Sequence, residues 1–307
     1  MSKLFFIGNG FDLNHGLKSQ YKDFLEFVCM YHHDKFHRIG SMFGLGNPSF
    51  LWKDFEENLA NFNVNRSICR NTHMIEYARK HPKKNLTEYT TLENACDGLV
   101  KDLSELFQEW VHEFMKDTSV SPKYHLSKDD YYISFNYTSI LNSAYRIPPP
   151  NICYIHRNAF ESDLTRLIFG HGLNKQKILN RIELNKEARN AIKAIKTSEQ
   201  DVISIYEELL MSLRKDTDSC LSDAKDFFDN FKKNSIDEIM ILGHSLGCSD
   251  VPYYQKILQY ITNSTPIKYS YKKSSECNEI RKQLEKIFNN PNRISGWTME
   301  EMLMKKN

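Results

Sequence analysis

Five polar stretches hold the residues of this 307-residue chain whose types and spacing could do chemistry. They are Gly8-Asn9-Gly10-Phe11-Asp12 with Gly16-Leu17, then Ser134-Phe135-Asn136-Tyr137-Thr138, then Tyr154-Ile155-His156, then Gly170-His171-Gly172, and finally Gly243-His244-Ser245-Leu246-Gly247. The first follows the apolar run Leu4-Phe5-Phe6-Ile7 and leads into a helical pattern. A strand that ends on Gly-x-Gly and turns into a helix is how α/β folds build an anion cradle. Glycine lets the backbone approach a ligand closely, and the helix aims free N–H groups and its positive dipole end at the anion. Gly8, Asn9, Gly10, Phe11 and Gly16 therefore mark a nucleotide-diphosphate site. The third glycine comes late for G-x-G-x-x-G, so a tight turn without ligand is the competing reading.

Each other candidate also has two readings. The unperturbed pKa of a histidine lies near neutrality, so His156 can accept a proton, or it is a hydrogen-bonded structural histidine. Asn136 can donate and accept at once, or it bonds its own turn backbone. Asp12 supplies negative charge, or it caps the first helix. His171 and His244 compete with His156 as base. Gly243-His244-Ser245-Leu246-Gly247 also satisfies the G-x-S-x-G nucleophile elbow, whose order is Ser, acid, His. No histidine follows His244, which ranks a serine hydrolase third.

The elements that must position these residues alternate. Strands are expected at Leu4–Ile7, Tyr131–Phe135, Ile152–Ile155 and Ile239–Leu242, with a further apolar run at Leu167–Phe169 and a last strand at Ile267–Tyr271. Helical spacing covers Tyr21–Tyr31, Thr91–Met115, Val251–Tyr260 and Ser275–Phe288. Pro48 opens another helix through Asn61, and Thr138 is the expected cap of a short helix through Tyr145. Phe36–Asn47 reads as a loop and 65–90 as a loose helical excursion. The charged, glycine-free stretch 173–235 reads as a helical insertion. This alternation predicts an α/β fold: a Rossmann-like, mainly parallel sheet flanked by helices. Residues 1–172 and 236–290 would form the discontinuous nucleotide-binding domain and 291–307 a C-terminal tail. Ligands of open α/β sheets bind at the carboxyl ends of strands, where Asn9, Asp12, Asn136, His156, His171 and Ser245 all fall.

Composition is that of a globular protein, with 40% apolar and 26% charged residues. A net charge of +2 exerts no global pull on nucleic acid or membrane. Arg66, Arg70, Arg79, Lys80, Lys83 and Lys84 accompany a single aromatic, Tyr77, and read as a solvated face, so no nucleic-acid partner is expected. There is no apolar run long enough to span a membrane and no signal-peptide pattern. Seven scattered cysteines without C-x-x-C argue for free thiols in a reducing cytoplasm and against a metal site.

The five stretches, in this order, resemble the AbiH family of bacterial abortive-infection proteins that act against phage. More distantly they are similar to the sirtuin-like NAD-binding fold. Gly8, Gly10, Gly16 and Leu17 keep the spacing of its first motif, Ser134 and Asn136 fit the second, His156 the third, and Gly243 and Ser245 the fourth. Asp12, Thr138 and Arg157 depart from it, Arg157 standing where that pattern has glycine. The resemblance implies hydrolysis of NAD to nicotinamide and ADP-ribose. Gly8 to Gly10 would hold the pyrophosphate, Asn136 a water or ribose hydroxyl, and His156 the proton. Asp12 would face the developing cation, Ser245 would hydrogen-bond the distal ribose, and Gly243 and His244 would join it in the cofactor-binding set. The alternative it implies is a non-catalytic nucleotide-binding sensor. A phage or host trigger protein is the expected partner, and a homo-oligomer is compatible with either reading.

Overall fold

Six parallel strands in the order β3-β2-β1-β4-β5-β6 form the central sheet of the computed structural model, which describes residues 2–42, 55–84, 86–116, 119–160, 167–231 and 236–304. They are β1 (Ser2–Ile7), β2 (Tyr131–Ser134), β3 (Ile152–Tyr154), β4 (Ile236–Leu242), β5 (Ile267–Tyr271) and β6 (Ile294–Thr298). This is the order of doubly wound dinucleotide-binding sheets, and its direction reverses between β1 and β4. Ile7 aligns there with Leu242. The expected Rossmann-like α/β fold is the observed one.

The apolar runs follow from burial on both sheet faces. Leu4 and Phe6 point into one core with Ile239, Ile241 and Tyr254. Phe5 and Ile7 point into the other with Phe11, Tyr132, Tyr145 and Leu242. Phe6 stacks on Tyr254 at 4.3 Å between ring centroids and Phe5 on Tyr132 at 5.0 Å. Each such pair adds about 1 kcal/mol beyond area burial.

The chain divides into two compact units, the sheet unit (Met1–Gln20, Val111–Ile168, Asp216–Asn307) and a second unit (Tyr21–Trp110, Phe169–Lys215). The second is built mostly of helices, among them Tyr21–Tyr31, Val64–Lys80, Lys186–Ile195 and Glu199–Ser212. Phe24, Phe55, Phe107, Trp110 and Phe169 cluster within it, with Phe24 5.1 Å from Trp110 and Phe107 4.9 Å from Phe169. These boundaries differ from those read along the sequence. Residues 173–235 are helical but do not form one insertion. The helices Thr217–Asp223 and Lys225–Phe231 belong to the sheet unit, where Phe231 lies 4.9 Å from Tyr131.

Several local expectations are corrected. The presumed tail contains β6, paired along its length with β5, and the helix Met299–Met304. Gly296 interrupts the apolar pattern of β6 because the Tyr269 ring occupies the place of its Cβ. Leu167–Phe169 is not a strand: Phe169 is drawn into the aromatic cluster, and His171 forms only an isolated bridge with Arg214. The loop expected at 36–47 begins as the helix His33–Met42, and its remainder lies outside the described residues. Most of the helix opening at Pro48 lies outside them too, leaving Phe55–Ala60. The loose excursion is a regular helix, Val64–Lys80, capped by the Asn63 side chain.

Candidate functional site at the carboxyl ends of the central strands

The turns after β1 and β4 lock into one another. The Gly10 N–H donates to the Gly243 carbonyl at 2.8 Å, and the Gly8 N–H to the Leu242 carbonyl at 2.9 Å. A Cβ on Gly10 would stand 2.7 Å from the Gly243 Cα, and one on Gly243, where φ is 63°, 2.3 Å from the Phe11 nitrogen. Close backbone approach is what these glycines permit, as expected. What approaches is the neighbouring turn, and the Gly8 and Gly10 N–H groups assigned to a pyrophosphate are already bonded. Gly16, at φ 86°, closes the turn after the helix Asn9–Asn14. The exposed Asn9 holds the Ser19 carbonyl through Nδ2, and Phe11 is core, stacked 5.3 Å from Tyr124.

Asp12 does not cap its helix. Its carboxylate is buried and accepts from Asn136 Nδ2 and Thr138 Oγ1, each at 2.8 Å. Asn136 Nδ2 also donates to the Gly8 carbonyl at 3.0 Å, so this amide ties the end of β2 to the end of β1 rather than bonding its own turn. The N-cap position before the helix Ile140–Ser143 is Ser139 and not the expected Thr138, and the Ser139 side chain makes no capping bond. Burial raises the Asp12 pKa from 3.8 to about 7, outweighing the two hydrogen bonds that favour the charged form. A carboxyl group tuned to neutrality at strand ends is equipped for proton transfer or for facing a cation.

The histidines after β3 and β4 converge on one carboxylate. Asp250 Oδ2 lies 3.4 Å from His244 Nε2, and Asp250 Oδ1 3.9 Å from His156 Nε2. His244 Nδ1 accepts the Leu246 N–H and the Tyr254 hydroxyl, each at 3.0 Å. The ring proton of His244 therefore sits on Nε2, toward Asp250, which leaves it poorly placed to act as base. Phe135, between Ser134 and Asn136, packs against both rings, 4.1 Å from His244 and 5.5 Å from His156.

Asp12, Asn136, Gly8, Gly10, Gly243, His244 and His156 thus form one connected cluster in the sheet unit. Ser245 is exposed, and the His244 nitrogens face other groups, which leaves the hydrolase elbow without a base. His171 belongs to the second unit, where Nε2 donates to the Leu210 carbonyl at 3.0 Å and Nδ1 accepts the Leu173 N–H. Asp250 escaped the sequence reading because an Asp before Val251-Pro252 reads as a helix cap. Its side chain makes no capping bond. Arg157 adopts φ 64°, the left-handed conformation that glycine favours.

Residues 4–271 match the family described as bacteriophage abortive infection AbiH. The chain belongs to the AbiH family. Membership indicates an anti-phage abortive-infection role for this AbiH chain. No curated protein and no solved structure matches it, so the sirtuin-like resemblance rests on the motifs alone. The matched span runs from β1 through β5 and holds every member of the buried cluster. Among the described residues no helix is long and apolar enough to cross a membrane, and no group of three potential metal ligands occurs.

Proposed function

We propose that this AbiH protein is an abortive-infection effector that hydrolyses NAD to nicotinamide and ADP-ribose. The observation that carries the reading is the Asp12 carboxyl group, buried and tuned to about pH 7 beside Asn136 at the point where the sheet reverses direction. In the reaction the bond from ribose C1′ to the pyridinium nitrogen breaks, and its electron pair neutralises the nicotinamide as it leaves. Water oxygen bonds to C1′ and its proton passes to His156. Ionised Asp12 faces the cationic ribose in the transition state. The grip on the pyrophosphate falls to groups other than the Gly8 and Gly10 N–H.

The test is to incubate purified protein with NAD, with and without extract of phage-infected cells, and to measure free nicotinamide. Release that disappears in Asp12→Asn and His156→Ala, both still folded, is the expected result. Absence of release under both conditions, or release unchanged in the variants, refutes the reading. The second reading, a sensor that binds nucleotide without turnover, requires the Gly10–Gly243 bond to open so that the glycine N–H groups can meet phosphate. Calorimetric NAD binding without nicotinamide release is its signature.

A further inference from the structure

We propose that the outer face of the helix Val64–Lys80 binds the phosphate backbone of single-stranded nucleic acid. The proposal concerns the second unit and stands apart from the NAD reading. Val64, Ser67, Ile68, Asn71, Thr72 and Ile75 form the buried face of this helix. Arg66, Arg70, His73, Tyr77 and Lys80 recur every three or four residues on the opposite side, which puts them in one row about 21 Å long. Residues 63–84 contain six Lys and Arg against one acidic residue, Glu76, in a chain whose net charge is +2. Surface cations are ordinarily interspersed with acids, as in the Arg189–Glu199 pair of the same unit at 3.0 Å. Among the described residues the side chains of Arg66, Arg70, His73 and Lys80 make no ion pair or hydrogen bond.

The row ends in an aromatic platform. The exposed His81 ring stacks on Tyr77 at 4.2 Å between centroids, its Nδ1 2.9 Å from the Tyr77 carbonyl. Lys84 Nζ donates to the Tyr77 hydroxyl at 2.6 Å and stands 5.2 Å from the ring centroid. A row of cations tracks phosphates, and an exposed ring takes the face of an unpaired base; the two together are the signature of single-strand binding. The expectation that this segment is only a solvated face rested on its single aromatic residue. The helical arrangement supplies what was missing by bringing His81 onto Tyr77 at the end of one continuous basic row.

The experiment is fluorescence anisotropy of the full chain with labelled 15-nucleotide oligo-U and oligo-dT, a 15-base-pair duplex, and unlabelled poly-glutamate as competitor. Binding of a single strand at 50 mM salt that weakens about a hundredfold at 200 mM is expected, from roughly five phosphate contacts. The stronger of the two strands identifies the nucleic acid as RNA or DNA. Arg66→Gln/Arg70→Gln/Lys80→Gln should weaken binding at least tenfold, with rescue by Arg66→Lys/Arg70→Lys. His81→Ala should reduce the preference over duplex. A control of equal charge change, Lys128→Gln/Lys282→Gln/Lys286→Gln, at exposed positions of the sheet unit, should stay within twofold. No binding at 50 mM salt, equal losses in both triple variants, or equal competition by poly-glutamate overturns the proposal.

Discussion

Asp12→Asn isolates the charge of the buried carboxyl group from its shape. Asp12 accepts from Asn136 and Thr138 with its two oxygens. An asparagine in its place can still accept from Asn136 through Oδ1 and donate from Nδ2 to the Thr138 hydroxyl, so the network survives. What disappears is the titration. The folded-state pKa is raised from 3.8 to about 7, so the folded protein holds this proton longer than the unfolded chain does. Stability from this group is complete below pH 3.8, declines as pH rises, and is lost above about pH 7. At about 1.4 kcal/mol per pKa unit the whole effect is about 4 kcal/mol. Between pH 5 and pH 8 the stability of Asp12→Asn should gain about 3 kcal/mol on that of the native chain. Urea unfolding of both proteins at several pH values measures the gap, and other titrating groups cancel in the difference. Parallel stability curves would refute the claim that burial of Asp12 dominates its environment. The same variant, stabilised at pH 8, should release no nicotinamide, which is the trade expected where a strained group serves function.

The remaining predictions concern the histidines, Arg157 and the glycine turns. Burial lowers the His171 pKa from 6.5 to about 4, so the imidazole resonances of His171 should stay neutral at pH 5 in an NMR titration. The sign is opposite to that of Asp12: stability falls as pH drops below about 6.5 and is lost down to about pH 4. His15 shifts the same way, mainly through burial, with its Nδ1–H on the Phe11 carbonyl and Nε2 facing the Tyr145 hydroxyl. Arg157→Gly relieves a left-handed φ at a half-exposed position and should raise the unfolding free energy by about 1 kcal/mol, read by thermal melts. Gly243→Ala forces a methyl group onto the Phe11 nitrogen and should cost more than about 3 kcal/mol; a melt within 2 °C of the native chain would show that the turns are not interlocked.

The central strands were readable because each is apolar on both faces, which leaves few alternatives to a buried parallel sheet. Their polar tips were readable because residue type changes abruptly where the sheet ends. β6 was not, since a glycine cleared for Tyr269 breaks its pattern and edge strands tolerate polar residues. The helix Val64–Lys80 looked irregular because Asn71 and Thr72 occupy its buried face. Thr72 bonds back to the Ile68 carbonyl one turn earlier, and Asn71 donates to the Tyr206 hydroxyl, a contact 135 positions away that no local spacing reveals. In the site, Asp12, Asn136 and His156 stood out by type. The link between Asp12 and Asn136 depends on a fold that joins residues 124 positions apart. Asp250 was hidden by a local role that it does not perform.

The interlocked turns change what a ligand must do at this sheet. In a dinucleotide cradle the glycine N–H groups wait for phosphate. Here the bond from Gly10 to Gly243 closes that position from within, while Asn136 ties the Gly8 carbonyl to the Asp12 carboxylate beside it. If NAD is cleaved with the turns closed, it must approach by its ribose and engage the carboxyl group directly, and the Gly10 amide should exchange with deuterium at the same slow rate with or without NAD. A nucleotide that takes the cradle must first break the Gly10–Gly243 bond, which opens the turn after β4 and speeds exchange at Gly10 when it binds. Amide exchange at that single position therefore separates a reaction with closed turns from phosphate capture by opened ones.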